Sequence, residues 1–443
     1  MSRSSLPLSR RDWLRLSLAG ASGSCLSGWL AKLADGAASD PKRRRSCILL
    51  WMNGGPSQMD TFDLKPGHAN GGPFKEIATA VPGIKISEHL PKLARHMDRL
   101  ALVRSMTSKE GDHGLATYYV HAGYAQRGSI QYPTLGALVA REAEEADLPA
   151  FVSIAPNRRG NPAAHSPGFL GPRYAPLVVG EDARSDAAAE GEKTLGVSNL
   201  KPHAGVSGQH LDARLRLLKQ MQQEFAAEQP GAAARSHLTA YERAARLMRT
   251  TAGKAFDLDG EQAKLRDAYG RSRFGQGCLL ARRLVERGVP FVEVSLGDDG
   301  TNWDTHQNNF EKVRGLSQVL DNGWATLMDD LEERGLLDST LIVWMGEFGR
   351  TPTINGDQGR DHFPNAWTAV LGGGGIKGGQ VIGKTSAGGD TIEQRPASVP
   401  DLLATVCRVL GIDPKKSNLS NVSRPMSIVD KASKPLEDVV TSS

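Results

Sequence analysis

Short apolar runs, each closed by glycine, proline or a polar cluster, alternate along this chain with longer stretches of helical period. CILLWM at 47–52 stops at Asn53-Gly54-Gly55-Pro56, a sharp turn, and reads as a buried strand. Further runs at 100–104, 151–154, 290–296, 341–345, 366–371 and 380–382 read the same way. Between them, 90–97, 115–121, 310–334 and the segment VPDLLATVCRVLGI, from near Pro400 to Gly411, carry helical spacing. From 210 to about 286 the pattern is strongly helical with charged faces, whereas 156–208 is rich in Pro, Gly and Arg and reads as loop. Strands alternating with helices predict an α/β fold: a three-layer α/β/α sandwich with a mostly parallel central sheet. The expected organisation is one α/β domain over 47–416. A helical and loop insertion is expected at about 156–286, with its loop-rich part, 156–208, an excursion over the active face, and a polar C-terminal tail of weak structure spans 417–443.

The N-terminus adds a different signal. Ser9-Arg10-Arg11-Asp12-Trp13-Leu14 is a twin-arginine pattern, followed by a mildly apolar, small-residue segment ending at Gly36-Ala37-Ala38. Residues 1–38 are therefore expected to be a twin-arginine signal peptide, 39–46 a basic linker, and the mature protein periplasmic or secreted. Lys32 and Asp35 interrupt the apolar segment, so no stable membrane span is expected after cleavage. The formal charge of +5 shrinks accordingly, because residues 1–38 contribute a net +3 and leave +2. That balance gives no reason to expect nucleic acid as a partner. Cys47, Cys278 and Cys407 lie in apolar runs without metal-type spacing and read as small core residues.

Candidate chemistry gathers just past the ends of strand-type runs, where open α/β sheets place their sites. After 341–345 come Glu347, Arg350, Arg360, Asp361 and His362; after 290–296 come Trp303-Asp304-Thr305-His306. Asp304 and His306, two apart in an extended segment, can face one ion. Asp361 and His362 are adjacent, so their side chains diverge; His362 is the better ligand and Asp361 fits a supporting or substrate-binding place. Glu347 suits either a ligand or a partner for Arg350. Asp60, past the first strand, offers another oxygen ligand or a turn cap. His113 opens a helix, where backbone N–H groups favour an anion. Arg104, Arg350 and Arg360 are candidates to hold an anionic substrate, since guanidinium matches phosphate and sulfate geometry. A mixed imidazole and carboxylate set suits one or two divalent ions, Zn²⁺, Mn²⁺ or similar.

The segments WMNGGPSQMDTFDLKP, DHGLATYYVHAGY, NWDTHQNNF and GEFGRTPTINGDQGRDHFPNAWTAVLGGGGIKGGQVIG resemble the "domain of unknown function 1501" family, over nearly the whole mature chain. That family resembles a distant branch of the alkaline phosphatase and sulfatase superfamily. The resemblance implies an alkaline phosphatase-like sandwich with metals at the carboxyl ends of its strands. Asp304, His306 and His362 match retained ligand positions. Other positions depart from the superfamily pattern. Met52-Asn53-Gly54 stands where paired Asp would end the first strand, Glu347-Phe348 replaces Asp-His or Asp-Asn, and His113 stands where a Cys or Ser nucleophile would open a helix. No Cys-x-Pro-x-Arg formylglycine motif occurs. The expected function is an exported metal-dependent hydrolase of phosphate or sulfate esters, with a metal-activated water or His113 attacking and an anionic small molecule or polysaccharide as substrate. The alternative is a non-catalytic relative that binds metal or polysaccharide.

Overall fold

The computed structural model of the chain describes residues 45–126, 128–144, 146–158, 160–180, 195–197, 208–228, 244–248, 251–297 and 302–441. The expected signal peptide, most of the linker and part of the 156–286 insertion lie outside the described residues. Nine strands form one sheet: β1 (Ser46–Met52), β2 (Leu100–Thr107), β3 (Phe151–Ile154), β4 (Leu177–Val179), β5 (Phe291–Leu296), β6 (Thr340–Met345), β7 (Trp367–Gly373), β8 (Gln380–Ile382) and β9 (Ala397–Ser398). Their order is β8-β2-β7-β6-β1-β5-β3-β4, with β9 also beside β2. All pairings are parallel except those of β7, which runs against both β2 and β6.

Alternation along β1 shows why the sheet is covered twice. Ile48, Leu50 and Met52 enter one core with helices α6 (Arg273–Glu286) and α7 (Asn309–Glu333). Cys47, Leu49 and Trp51 enter a second core with α3 (Leu135–Glu142) and α8 (Val399–Val409). Successive side chains of a strand point to opposite faces, so a strand apolar at every position must be buried on both. The three-layer α/β/α sandwich is thus the fold. Local signals set its helix ends. Ser398 and Asp401 form a reciprocal capping box with Pro400 in the first turn of α8, and Asp112 caps α2 (His113–Ala122), which ends on Gly123 in the left-handed conformation.

Three elements differ from the sequence expectation. Segment 90–97 forms a 3-10 helix, Leu93–Arg99, rather than an α-helix. The loop-rich excursion contributes the edge strand β4. The tail after 417 is packed rather than loose: Ile428, Val429 and Val439 are core residues, and Ser417–Leu419 pairs with Pro425–Ser427. Its apolar positions are too sparse to show periodicity, and only the surface they meet reveals their burial.

The parallel strands deliver four chain ends to one edge. The segments after β1, β5 and β6, which are neighbours in the sheet, and after β2 all emerge there. The reversed β7 starts at the same edge, which brings the residues just before it alongside. Close approach between these segments demands glycine. Gly54 has a φ of +104°, and a Cβ there would stand 2.4 Å from the Asp304 amide; a Cβ on Gly359 would stand 1.8 Å from the His306 carbonyl oxygen.

A buried ion pair fastens the loop after β6 to the loop after β1. Arg360 Nε donates to Asp60 Oδ2 at 2.8 Å and its Nη2 to Oδ1 at 3.2 Å, while Asn309 Nδ2 adds 2.9 Å to Oδ2. Arg360 also donates to the carbonyls of Asn70, Thr351 and Pro352. Both side chains are fully buried. The structure pairs two residues expected to serve metal and substrate separately: the Asp60 oxygens accept from Arg360 and Asn309, and the Arg360 guanidinium is enclosed. Asp60→Asn should strand a guanidinium in the core and cost about 3–5 kcal/mol of unfolding free energy. Asp60→Leu combined with Arg360→Met should recover most of it in urea titrations; a cost under about 1 kcal/mol for Asp60→Asn would mean the pair is not the fastening.

Candidate metal centre

Three imidazoles converge on one carboxylate oxygen at this edge. Asp304 Oδ1 lies 3.3 Å from His113 Nε2, 3.1 Å from His306 Nε2 and 3.3 Å from His362 Nε2. The two latter nitrogens are 3.0 Å from each other. Ligand atoms of His113, Asp304 and His362 all fall within 4.8 Å of one another. Each residue comes from a different segment: His113 opens α2 after β2, Asp304 and His306 follow β5, and His362 precedes β7. His362 is placed by a two-residue pairing, His362–Phe363 against Gly349–Arg350, which sets it opposite Arg350.

Every ring has its other nitrogen engaged. His113 Nδ1 is 2.7 Å from Glu347 Oε1, His306 Nδ1 is 2.6 Å from Asp361 Oδ1, and His362 Nδ1 is 2.8 Å from the Gly111 carbonyl oxygen. Carbonyls and ionised carboxylates only accept, so each Nδ1 carries the proton and donates. In the neutral rings the Nε2 lone pairs then face one another and Asp304, a repulsive arrangement unless a cation or extra protons lie among them. Consistent with this, His113 Nε2 is buried without a hydrogen bond although Asp304 is within ion-pair distance. Metal-bound imidazoles are oriented in this manner, by a carboxylate or carbonyl on the opposite nitrogen. The residues present therefore fit a divalent ion.

Asp304 is held from behind by Arg350, whose Nη2 donates to Oδ1 at 2.6 Å. Arg350 is fully buried; it also donates to the carbonyls of Gly54, Gly55 and Arg360, and Gln58 clamps its backbone with hydrogen bonds of 2.8 and 3.0 Å. A side chain so enclosed cannot clasp a substrate, which corrects the expected role of Arg350: it positions Asp304. Burial alone would raise the Asp304 pKa, but contacts with His113, His362 and Arg350 outweigh it and hold the carboxyl well below the usual range. For His113, burial favours the neutral ring, yet Asp304 and Glu347 outweigh it and raise the pKa to about 9.

The structure also sorts the remaining candidates. Glu347 is buried, accepts from the Gly54 amide at 2.9 Å, and orients His113. Asp361 orients His306. Both carboxylates meet their rings at Nδ1, not at the Nε2 that faces Asp304, so both stand one step behind the converging atoms. His113, expected as a nucleophile or anion site, sits within the group itself. Arg104 is mostly enclosed, 3.7 Å from Asp63, and donates to the Lys85 carbonyl. Gln58 and Asn309 act as supports that the sequence does not mark, since an amide in a polar segment carries no periodic signal. A second imidazole and carboxylate group, His121, His165 and Glu293, also went unassigned. Its one sequence clue is a charged Glu inside the apolar run FVEVSL.

Several solved structures are similar to this chain at low identity. A sulfatase from Pseudoalteromonas sp. is 13% identical, with 88% of this chain and 72% of that one covered and a TM-score of 0.39. A protein in the alkaline phosphatase superfamily from Vibrio parahaemolyticus is 12% identical, with 89% and 77% covered and a TM-score of 0.41. A phosphonate monoester hydrolase from Silicibacter pomeroyi is 14% identical, with 89% and 76% covered and a TM-score of 0.35. Among curated proteins no sequence matches. The family model described as protein of unknown function (DUF1501) matches residues 44–440, and the chain belongs to that family.

Proposed function

We propose that this chain is an exported metal-dependent hydrolase of phosphate or sulfate esters, acting on an anionic small molecule or polysaccharide. The observation that carries the reading is the convergence of His113, His306 and His362 Nε2 on Asp304 Oδ1 with every Nδ1 proton committed elsewhere. These four residues would hold the ion, and the nitrogen-rich set favours Zn²⁺ or a similar borderline ion over Ca²⁺. Such an ion supplies Lewis-acid neutralisation of an ester oxygen and lowers the pKa of water. Glu347, Asp361 and the Gly111 carbonyl keep the rings in the ligating tautomer, and Arg350 keeps Asp304 ionised and fixed. His113 occupies the first position of α2, so no hydroxyl or thiol stands there to attack, and water is the nucleophile in this reading. The enclosure of Arg350 and Arg360, together with Asn53 at the end of β1, favours the second reading, a binding module that holds metal without turnover.

Purified mature chain should bind divalent metal and cleave an aryl phosphate or an aryl sulfate. Asp304→Asn and His362→Ala should each lower turnover at least about 100-fold and release the ion, as should chelation. Metal binding without hydrolysis of either ester would select the binding module, and failure of Zn²⁺ or Mn²⁺ to bind at this group would end both readings.

Metal binding should also depend on pH in a set direction. His113, raised to about 9 without metal, contributes stability below about pH 6.5 that is lost as pH rises through 9. A bound ion requires the unprotonated ring, so the metal-induced rise in melting temperature should grow from pH 6.5 to 9. A shift that shrinks over that interval would contradict the ligand role of His113. For export, replacing Arg10 and Arg11 by Lys should leave the unprocessed chain in the cytoplasm, read by fractionation.

A further inference from the structure

A second group of ligand-type side chains lies at the other end of α2. His121 is in the last turn of that helix, His165 ends the 3-10 segment Pro162–His165, and Glu293 is the third residue of β5. All three are at least nine-tenths buried, and their ligand atoms fall within 4.8 Å of one another. His121 follows His113 by eight residues, which on an α-helix is a separation of about 12 Å. The group is therefore separate from the centre described above.

Its polar atoms are arranged for a cation. His121 Nδ1 is 2.8 Å from the Thr117 carbonyl oxygen, which can only accept, so this nitrogen carries the proton. In the neutral ring Nε2 then turns its lone pair to Glu293 Oε2, 3.2 Å away. Ser153 Oγ donates to Glu293 Oε1 at 2.9 Å and fixes the carboxylate. His165 Nδ1 stands 3.7 Å from Glu293 Oε1, beyond hydrogen-bond length, and its Nε2 is buried without a hydrogen-bond partner. A single proton between His121 and Glu293 would satisfy that pair and leave His165 with only its longer approach to Glu293 Oε1. One dication held by His121 Nε2, His165 Nδ1 and the Glu293 carboxylate engages all three side chains. Zinc bonds of about 2.0–2.1 Å in tetrahedral geometry put ligand atoms about 3.3 Å apart, close to the 3.2 Å seen here and a small adjustment from 3.7 Å.

We propose that His121, His165 and Glu293 form a second, buried site for Zn²⁺ or a similar divalent ion. The ion ties three segments together: the C-terminal turn of α2, the 3-10 segment after β3, and the middle of β5. It thereby secures the helix whose first residue is His113. Thr117 and Ser153 are positioning groups, each directing one ligand. The site stands independently of the hydrolase reading, because none of its ligands belongs to the first group.

The test is metal content of the full chain carrying Asp304→Asn and His362→Ala, which disables the first group. After incubation with Zn²⁺ and desalting, this double variant should retain about one equivalent per chain. Adding His165→Gln should remove that equivalent while the circular dichroism spectrum stays folded. Co²⁺ in place of Zn²⁺ should give the intense visible absorption of a four-coordinate site in the double variant alone, a readout that does not need the triple variant to fold. A folded double variant that holds neither ion overturns the proposal and makes the cluster a proton-linked structural network. Retention of the ion after His165→Gln overturns it as well. If wild type binds a single equivalent lost with His165→Gln but not with Asp304→Asn, this site stands and the first centre fails.

Discussion

Everything at the functional edge turns on the Asp304 carboxylate. One oxygen of this side chain receives the buried Arg350 guanidinium and faces three imidazoles. Arg350 in turn is held by the carbonyls of Gly54 and Gly55 at the end of β1, by the Arg360 carbonyl, and by Gln58. A guanidinium with no exposed surface must have its donors satisfied inside the protein. Satisfying them fixes the segments after β1, β5 and β6 relative to one another. The geometry of the centre is the result of packing a cation, and the imidazoles inherit it.

That packing is available because the sheet is parallel where it matters. β6, β1 and β5 lie side by side in one direction, so their following loops meet at a single edge. β7 alone runs the other way, and its reversal lets the segment carrying His362 enter where the others leave. Gly54 and Gly359 let backbones approach to distances no side chain would allow. The Asp60–Arg360 pair then anchors the same loop through a second, fully buried contact. Two arginines in one loop thus do related work. Each is fully enclosed and each is paired with a carboxylate from a different loop. Neither is left to meet an anion from solvent.

Chemically, the centre combines hard constraint with partial exposure. Its ligand side chains are partly exposed, although the His113 Nε2 atom itself is buried. Their supports, Glu347 and Arg350, are wholly enclosed. This division suits a group that must hold an ion in fixed geometry while presenting one side outward. The buried His121, His165 and Glu293 group has the opposite character, with no open side, which suits structure rather than turnover.

Much of this was legible in the chain. Continuous apolar runs such as CILLWM and TLIVWM, short and closed by turn residues, read as strands buried on both faces, which implies helices above and below. Polar residues after strand-type runs, Asp304 and His306 after 290–296 and His362 after 341–345, mark the edge because irregular backbone past a strand end is where side chains are free to serve chemistry. What the sequence could not decide was which carboxylate faces which ring. Asp60 and Asp304 look alike in sequence, yet one is spent neutralising Arg360 and the other gathers three histidines. Glu347 and Asp361 likewise become supports because only tertiary contact fixes which imidazole nitrogen each accepts from. The apolar period follows from local geometry and is written into neighbouring residues. The pairing of charges depends on which loops meet, and the chain folds those together from positions up to 300 residues apart.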